Sequence, residues 1–230
     1  LGATIRISLA SDGTPGNNHS HGPAISGDGS RLAFYSQASN LVPGDANGTW
    51  DVFVHDPATG QTIRASVATD GAEGNEESTS PALSADGRYV TFTSWADNLV
   101  AGDTNLTGDV FVRDLVEGTT ARVSVSSAGV QGNGYSRGAS ISADGRYVAF
   151  VSSASNLVLT DTNGVADVFV RDRTGNTTER ISIASDGSQA NGASSAPAIS
   201  GDGRYVAFTS EASNLVAGDD NMGSDVFVRD

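Results

Sequence analysis

The hexapeptide Asp-Val-Phe-Val-Arg-Asp at 109–114 decides the fold, because the chain carries it four times with few changes. The other copies begin at Asp51, Asp167 and Asp225, and each copy starts 58 residues after the one before it. Self-similarity at a fixed period is the sequence signature of a repeat architecture. A short run of valine and phenylalanine is typical of a β-strand, so the repeat is expected to be built from strands.

Each repeat contains four strand-like segments, seen first at 23–26, 31–36, 51–56 and 62–67. The turn Gly27-Asp28-Gly29 separates the first two, and Asp-Gly between two apolar runs predicts a β-hairpin. One position in the second segment and one in the third hold all eight phenylalanines of the chain. Large buried rings stabilise a core strongly, so these positions are predicted to form the core of each repeat. They are Phe34, Phe92, Phe150 and Phe208 in the second segment, and Phe53, Phe111, Phe169 and Phe227 in the third.

The repeats divide a single domain, 1–230, into approximate units at 10–67, 68–125, 126–183, and 184–230 plus 1–9. The pattern of the fourth segment recurs at 4–9, whereas the last unit contains only its first three segments. We therefore expect the N-terminal strand to pair with the last unit and to close the array, which would leave only short, protected sheet edges.

The pattern Pro-x-x-Ser-x-Asp-Gly-x-x-x-x-Phe-x-Ser, followed by Asp-Val-Phe-Val-x-Asp, resembles the TolB-type WD40-like (PD40) repeat. The resemblance covers the whole chain and implies an all-β propeller with four antiparallel strands in each of four blades. The chain departs from that family in its long loop between the second and third strands, and in having four repeats where such propellers usually have six or more. One chain closing as four blades is preferred, because small residues in the first strand suit a crowded axis. The alternative is two chains closing as eight blades by exchanging the terminal strand.

An acidic loop precedes every copy of the hexapeptide and places oxygen-bearing side chains at loop positions 1, 3 and 7. Such side chains can converge on a hard cation, with backbone carbonyls and water completing a calcium shell of roughly six to eight oxygens. The spacing predicts one structural calcium ion in each repeat. The alternative is that these residues only stabilise turns through their own backbone. The predicted ligands are Asp45, Asn47, Asp51, Asp103, Asn105, Asp109, Asp161, Asn163, Asp167, Asp219, Asn221 and Asp225.

Two further residue sets have alternative interpretations. Trp50 and Trp95 interrupt the repeat, and they either mark a binding face or fill local space. Four asparagines that follow the second strand are either supporting metal ligands or turn residues. They are Asn40, Asn98, Asn156 and Asn214.

The composition argues against two classes of binding partner but does not identify a ligand. The formal charge of −14 and the isoelectric point near 4.3 argue against a nucleic-acid partner, which needs a basic surface, and against anionic membranes. No apolar run is long enough for membrane insertion. No catalytic residue is predicted, because the one G-x-S-x-G match, at 134–138, lies in a loop without the strand-turn-helix context of a nucleophile elbow.

We therefore expect a calcium-stabilised, non-catalytic module that binds an unknown protein or glycan. It is expected at the bacterial cell envelope or exterior, in the periplasm or outside the cell, because weak calcium sites need millimolar calcium. The chain is expected to be a monomer or a strand-exchanged homodimer. The alternatives are a propeller-scaffold hydrolase or lyase acting on polysaccharide or peptide, and an engineered or fragment array whose function is assembly.

Overall fold

The computed structural model describes residues 2–230, and all regular structure in this range is β-strand. The strands form three four-stranded sheets and one three-stranded sheet, and within each sheet the strands that follow each other along the chain pair antiparallel. This arrangement confirms an all-β chain with one sheet for each repeat, and it fits four propeller blades. The strands are β1 (Ser20–Ile25), β2 (Leu32–Ser36), β3 (Asp51–His55), β4 (Thr62–Arg64), β5 (Ser78–Leu83), β6 (Tyr89–Ser94), β7 (Asp109–Asp114), β8 (Thr119–Arg122), β9 (Ser136–Ile141), β10 (Tyr147–Ser152), β11 (Asp167–Asp172), β12 (Thr177–Arg180), β13 (Ser194–Ile199), β14 (Val206–Ser210) and β15 (Asp225–Arg229).

Each sheet presents a phenylalanine face and a valine face, because neighbouring residues of a strand point to opposite sides of a sheet. Phe92 on β6 and Phe111 on β7 lie opposite each other, with ring centroids 5.8 Å apart. Both rings are fully buried and share one cluster with Val52 and Val54 of the first sheet. The phenylalanine face of one sheet therefore covers the valine face of the sheet before it, and the core lies between successive sheets.

The first strands β1, β5, β9 and β13 contact one another in chain order and join the sheets along one side of the array. Backbone hydrogen bonds run between the turns that follow these strands. The Asp28 N–H donates to the Ala85 carbonyl at 3.0 Å, the Ala85 N–H to the Ala143 carbonyl at 3.1 Å, and the Ala143 N–H to the Gly201 carbonyl at 2.9 Å. Small side chains at these turns allow the backbones to approach this closely.

The predicted hairpin between the first two strands is confirmed. Gly29 has a φ of +73°, a backbone conformation that glycine adopts without the steric cost of a Cβ atom. The Asp28 carboxylate accepts hydrogen bonds from the Ser26 hydroxyl at 2.7 Å and from the Ser30 N–H at 2.9 Å. The turn is thus fixed by the aspartate as well as by the glycine.

The strands of the first sheet depart from their predicted bounds, and two of them depart by more than one residue at one end. β1 begins at Ser20 instead of Pro23, and β4 ends at Arg64 instead of continuing to residue 67. Ala65 still donates its N–H to the Val52 carbonyl of β3 at 2.7 Å, but the Ser66 carbonyl accepts a hydrogen bond from the Gly74 N–H at 3.2 Å in the following loop, so the pairing with β3 ends there. The second half of the predicted fourth strand therefore leads into the next sheet.

The expected closure of the array is not seen in the described residues. β15 pairs only with β14, and segment 4–9, which was expected to pair with it, forms no strand. Ile7 instead packs on Phe34 and Phe53 of the first sheet. This contact holds the N-terminal segment at the opposite end of the array from β15, so the four sheets form an open arc.

The packing of phenylalanine between sheets predicts a large stability effect for Phe111→Ala. Removing this fully buried ring should lower the free energy of unfolding by about 3–5 kcal/mol, because it leaves a cavity between two sheets. Leu159→Ala removes a fully exposed side chain and should change it by less than about 0.5 kcal/mol. Urea unfolding followed by circular dichroism measures both, and equal effects would contradict this account of the core.

Candidate functional site

The acidic loop of the second repeat ends at Asp109, whose side chain is completely buried at the start of β7. One carboxylate oxygen accepts a hydrogen bond from the Ser124 hydroxyl at 2.5 Å. The other accepts from the Asn105 amide at 3.0 Å and from the Gln131 amide at 3.1 Å. Positions 3 and 7 of the predicted loop motif are therefore in direct contact through a hydrogen bond.

An arginine lies beside these carboxylates. Arg122 on β8 places its guanidinium 3.1 Å from the Asp103 carboxylate and 3.6 Å from that of Asp109. The side chains of Arg122 and Asp103 are almost fully buried, so the ion pairs are shielded from water. The first and third sheets repeat the arrangement with Arg64 beside Asp51 and Glu73, and with Arg180 beside Asp161 and Asp167.

The asparagine at loop position 3 turns its amide nitrogen, and not its oxygen, towards the buried carboxylate. The Asn105 nitrogen donates to Asp109 and, at 2.9 Å, to the Gly132 carbonyl. Its oxygen accepts the Thr107 N–H at 3.1 Å, which is a turn contact. The donor set around Asp109 thus contains a guanidinium and two amide groups, which suits a carboxylate better than it suits a metal ion.

Three carboxylates of the first repeat offer oxygens within 4.8 Å of one another: Asp45, Asp51 and Glu73. Glu73 was missed by the sequence analysis, although the same repeat position holds Gln131 and Gln189. Arg64 contacts Asp51 and Glu73 in this cluster, so a metal ion would have to compete with a guanidinium. Calcium binding by the acidic loops stays a prediction.

The asparagines that follow the second strand make turn contacts. The Asn40 oxygen accepts the Asn17 N–H at 2.9 Å, and its amide nitrogen donates to the Pro15 carbonyl at 2.9 Å. This pair of bonds ties the loop before each sheet to the loop after its second strand. The equivalent residues Asn98, Asn156 and Asn214 make the same two kinds of contact.

Burial changes the acidity of the loop carboxylates. Burial raises the pKa of Asp51 from its ordinary value of 3.8 to about 6, against the hydrogen bond from Ser66 and the charge of Arg64, which lower it. The pKa of Asp109 is raised for the same reason. In contrast, hydrogen bonds from Ser30 and Ser26 lower the pKa of the exposed Asp28 to about 2.

A group of aromatic side chains lies at the end of the sheets where the first strand begins and the second strand ends. We call it the aromatic rim. In the first sheet, the Trp50 ring lies 5.4 Å from the His21 ring and 5.2 Å from that of Tyr35, measured between centroids. His19 stacks on His21 at 6.2 Å, and both histidines are exposed. The rim consists of His19, His21, Tyr35, Trp50, Trp95 and Tyr135.

The rim continues across the second and third sheets. The Trp95 and Tyr135 rings are 5.3 Å apart, and the Arg137 guanidinium lies 5.2 Å from the centre of the Tyr135 ring. Gly108 makes room for them, because a Cβ atom there would lie 2.5 Å from the Tyr135 ring. A groove of about 420 Å³ runs beside Trp95. Carboxylates of Glu76, Glu77, Asp97 and Asp103 line it.

Solved structures with the same fold include proteins of several kinds. TolB from Acinetobacter baumannii matches with a TM-score of 0.53 at 18% identity, over 93% of this chain and 41% of TolB. An oligogalacturonate lyase from Vibrio parahaemolyticus matches with a TM-score of 0.53 at 16% identity, over 88% of this chain and 50% of the lyase. The tricorn protease matches with a TM-score of 0.50 at 15% identity, over 93% of this chain and 20% of the protease. No protein-family model and no curated protein sequence matches the chain.

The fold is therefore that of a TolB-like β-propeller repeat protein, as the repeat pattern implied. The chain spans less than half the length of TolB. At these identities the likeness shows the fold alone, and propellers carry many unrelated activities. The lyase and the protease in this set do not assign a reaction to this chain.

The raised pKa of Asp51 predicts an unusual dependence of stability on pH. The contribution of Asp51 to the free energy of unfolding is fully present below about pH 4 and is lost as the pH rises through about 6, because the folded state disfavours the charged carboxylate. The loss is at most about 3 kcal/mol. Asp51→Asn should therefore flatten the fall of the thermal midpoint between about pH 4 and pH 6.

Asp28→Asn is the matched control. Because its pKa is lowered in the folded state, Asp28 makes a contribution to the free energy of unfolding that is present above about pH 4 and is lost as the pH falls through about 2. This variant should leave the slope between pH 4 and pH 6 unchanged. An unchanged slope in Asp51→Asn would contradict the assignment of that slope to the buried carboxylate.

Proposed function

We propose that the chain is a non-catalytic interaction module whose aromatic rim binds a protein or glycan partner. The aromatic rim carries this proposal, because both tryptophans of the chain lie there at positions where the repeats differ. Tryptophan and tyrosine provide large, rigid contact area with little loss of side-chain entropy. Residues that only filled the core would be expected to recur in every repeat, as the phenylalanines do.

The chemistry of the groove beside Trp95 supports a hydroxyl-rich or basic ligand. The carboxylates of Glu76, Glu77 and Asp97 are accessible and accept hydrogen bonds, whereas that of Asp103 is buried against Arg122. The Trp95 ring in the same groove offers a surface on which a sugar ring or an arginine can stack. The net charge of −14 favours encounter with neutral or positive partners over anionic ones. A partner with these properties is a neutral glycan or a basic peptide segment.

Location at the cell envelope or exterior is part of this proposal. The likeness to TolB supports it. It is also supported by the proposed calcium sites, because weak sites in acidic loops need millimolar calcium to be occupied. None of the described residues forms a helix long and apolar enough to cross a membrane.

The test is a screen of neutral glycans and basic peptides with tryptophan fluorescence as the readout, since both tryptophans report from the rim. A binding ligand should shift the emission, and Trp95→Ala should weaken binding at least about tenfold, a change typical of a central aromatic anchor. Tyr205→Ala removes an aromatic ring at the opposite edge of the last sheet and should leave the affinity unchanged. Equal losses in both variants would contradict a ligand site at the rim.

The second part of the proposal is that the acidic loops bind calcium, which competes with the neighbouring arginines for the same carboxylates. Arg122→Gln leaves Asp103 and Asp109 without their guanidinium, which should cost about 3–5 kcal/mol in the absence of calcium. Saturating calcium should then raise the thermal midpoint more in this variant than in the unchanged chain, because a native-state ligand stabilises by mass action.

Arg146→Gln provides the control for that experiment. Arg146 pairs with Asp172 near the surface, outside the acidic loops, and its removal should give no added response to calcium. Thermal unfolding with excess chelator and then with calcium measures all three proteins. A midpoint that calcium leaves unchanged in every one of them would contradict the metal part of the proposal and leave the rim untouched.

A further inference from the structure

The groove beside Trp95 is lined by acidic side chains that the other repeats lack. Glu76, Glu77 and Asp97 supply carboxylates to it, and no other repeat has an acidic residue at any of these positions. The equivalent residues are Asn18, Gly134 and Gly192 for Glu76, His19, Tyr135 and Ala193 for Glu77, and Ser39, Ser155 and Ser213 for Asp97. Because the other repeats form their sheets without these acids, the scaffold does not require them.

The contacts of Asp97 show that its charge has no structural task. In the first repeat, the Ser39 hydroxyl at this position accepts a hydrogen bond from the Asn17 amide at 3.1 Å. One oxygen of Asp97 accepts the equivalent bond from the Asn75 amide at 2.7 Å. A serine would therefore serve this turn, and the second oxygen and the negative charge of Asp97 are available to a ligand.

The acidic side chains of the groove have no positive partner. Among residues 2–230, no group donates a hydrogen bond to the side chain of Glu76 or Glu77, and no arginine or histidine forms an ion pair with Glu76, Glu77 or Asp97. The residues that line the groove include no arginine and no histidine. Carboxylates of like charge repel one another, and a positively charged ligand would remove this repulsion.

Trp95 and Leu106 add apolar surface to the same groove. The Tyr135 ring of the following repeat lies 5.3 Å from the Trp95 ring, measured between centroids. A Cβ atom at Gly108 would lie 3.0 Å from the indole, so the glycine allows this close packing. The Trp95 ring is therefore held in place before any ligand arrives, which lowers the entropy cost of binding.

Leu106 keeps its exposed position in a disfavoured backbone conformation. Its φ is +56°, in the left-handed region that Gly48 and Gly164 adopt at the equivalent positions. A bulky residue is disfavoured there, and Leu106 gains nothing from burial, because it is 89% exposed. Met222 shares this conformation in the last repeat, and Leu106 differs from it in lining a groove beside a tryptophan.

The spacing of the acids in the groove suits an extended cation better than a metal ion. Among residues 2–230, the one set of three carboxylates with oxygens within 4.8 Å of one another is in the first acidic loop, outside this groove. A guanidinium carries five N–H donors in a plane, so it can contact carboxylates that lie on different sides of it. Its planar shape also stacks on an indole ring, whereas a lysine ammonium is a compact charge.

We propose that the groove beside Trp95 receives an arginine side chain from an extended segment of a partner protein. The guanidinium contacts the carboxylates of Glu76, Glu77 and Asp97, and the aliphatic part of the arginine lies on Trp95 and Leu106. The proposal rests on the proposed function of the aromatic rim and specifies which of its two ligand classes occupies this groove. Charge complementarity decides between them, because a neutral glycan leaves the carboxylates without a positive partner.

The probe is a glycine-serine peptide with two arginines, compared with peptides that carry lysine or citrulline in their place. The chain has two tryptophans, so NMR gives two indole N–H signals, which Trp50→Phe assigns. The arginine peptide should shift the Trp95 signal. The citrulline peptide, which keeps the shape without the charge, should bind at least about tenfold more weakly, and the lysine peptide should bind more weakly than the arginine peptide. Equal affinity of either peptide would overturn the proposal.

A triple variant tests the acids of the groove. Glu76→Gln, Glu77→Gln and Asp97→Ser together remove the charge, and the serine restores the residue of the other repeats. Binding of the arginine peptide should weaken at least about tenfold, because charge-assisted hydrogen bonds are lost. The thermal midpoint should not fall, because these side chains have no ion pair to lose.

The matched control changes the net charge by the same amount outside the groove. Glu179→Gln, Glu211→Gln and Asp220→Asn neutralise exposed carboxylates that form no ion pair with any of residues 2–230. The control should bind the arginine peptide within about twofold of the unchanged chain. Equal losses in both triple variants would overturn the proposal, because they would assign binding to net charge alone.

Leu106→Gly separates binding from folding. Glycine adopts a positive φ without strain, so the thermal midpoint should rise, while the affinity for the arginine peptide should fall severalfold because the apolar surface is lost. An unchanged affinity, or a lower midpoint, would overturn the role of Leu106.

A neutral glycan distinguishes the failure of this inference from the failure of the proposed function. If glycans shift the Trp95 signal and the arginine peptide does not, this inference is overturned and the rim keeps its proposed function. If neither kind of probe shifts the signal, both are overturned.

Discussion

The structure depends on the fact that every sheet has two apolar faces, and that each face needs a neighbour. Phe111 and its partner on β6 fill one side of the second sheet, and the valines of β7 fill the other. No sheet therefore has a core of its own, and stability arises at the contacts between sheets, as in other repeat proteins. At one end of the arc Ile7 covers the phenylalanine face, whereas the valine face at the other end is open to solvent.

Buried charge fixes the long loops onto this stack. Asp109 has no exposure to water, and the Ser124 hydroxyl that donates to it accepts the Val110 N–H at 3.2 Å. The carboxylate, the hydroxyl and the backbone of β7 thus form one connected network, with Arg122 supplying the positive charge. Buried ion pairs add little net stability compared with apolar packing, but losing one partner is costly. The network therefore specifies where the loop ends more than it strengthens the fold.

Much of the fold could be predicted from the sequence because the period is constant and phenylalanine marks two positions in every repeat. The charge cluster could be predicted only in part. Oxygens at loop positions 1, 3 and 7 suit either a metal ion or a guanidinium, and Arg64 reaches Asp51 only through the pairing of β3 with β4. Glu73 comes from the loop after β4, so no local motif includes it. The pattern at 4–9 shows what kind of strand this segment resembles, but it carries no information about whether β15 lies within reach.

The position before the third strand has one occupant in each repeat: Trp50, Gly108, Ala166 and Ser224. These side chains range from the largest in proteins to none, while the strand that follows them keeps most of its sequence and, in the first three sheets, its burial. Gly108 even yields its space to Tyr135 of the following repeat. The side chain at this position therefore varies independently of the scaffold. Repetition of an almost constant unit can in this way produce a surface that lacks the symmetry of the repeats. A single substitution before the third strand can change this surface while the packed sheets beneath it stay the same.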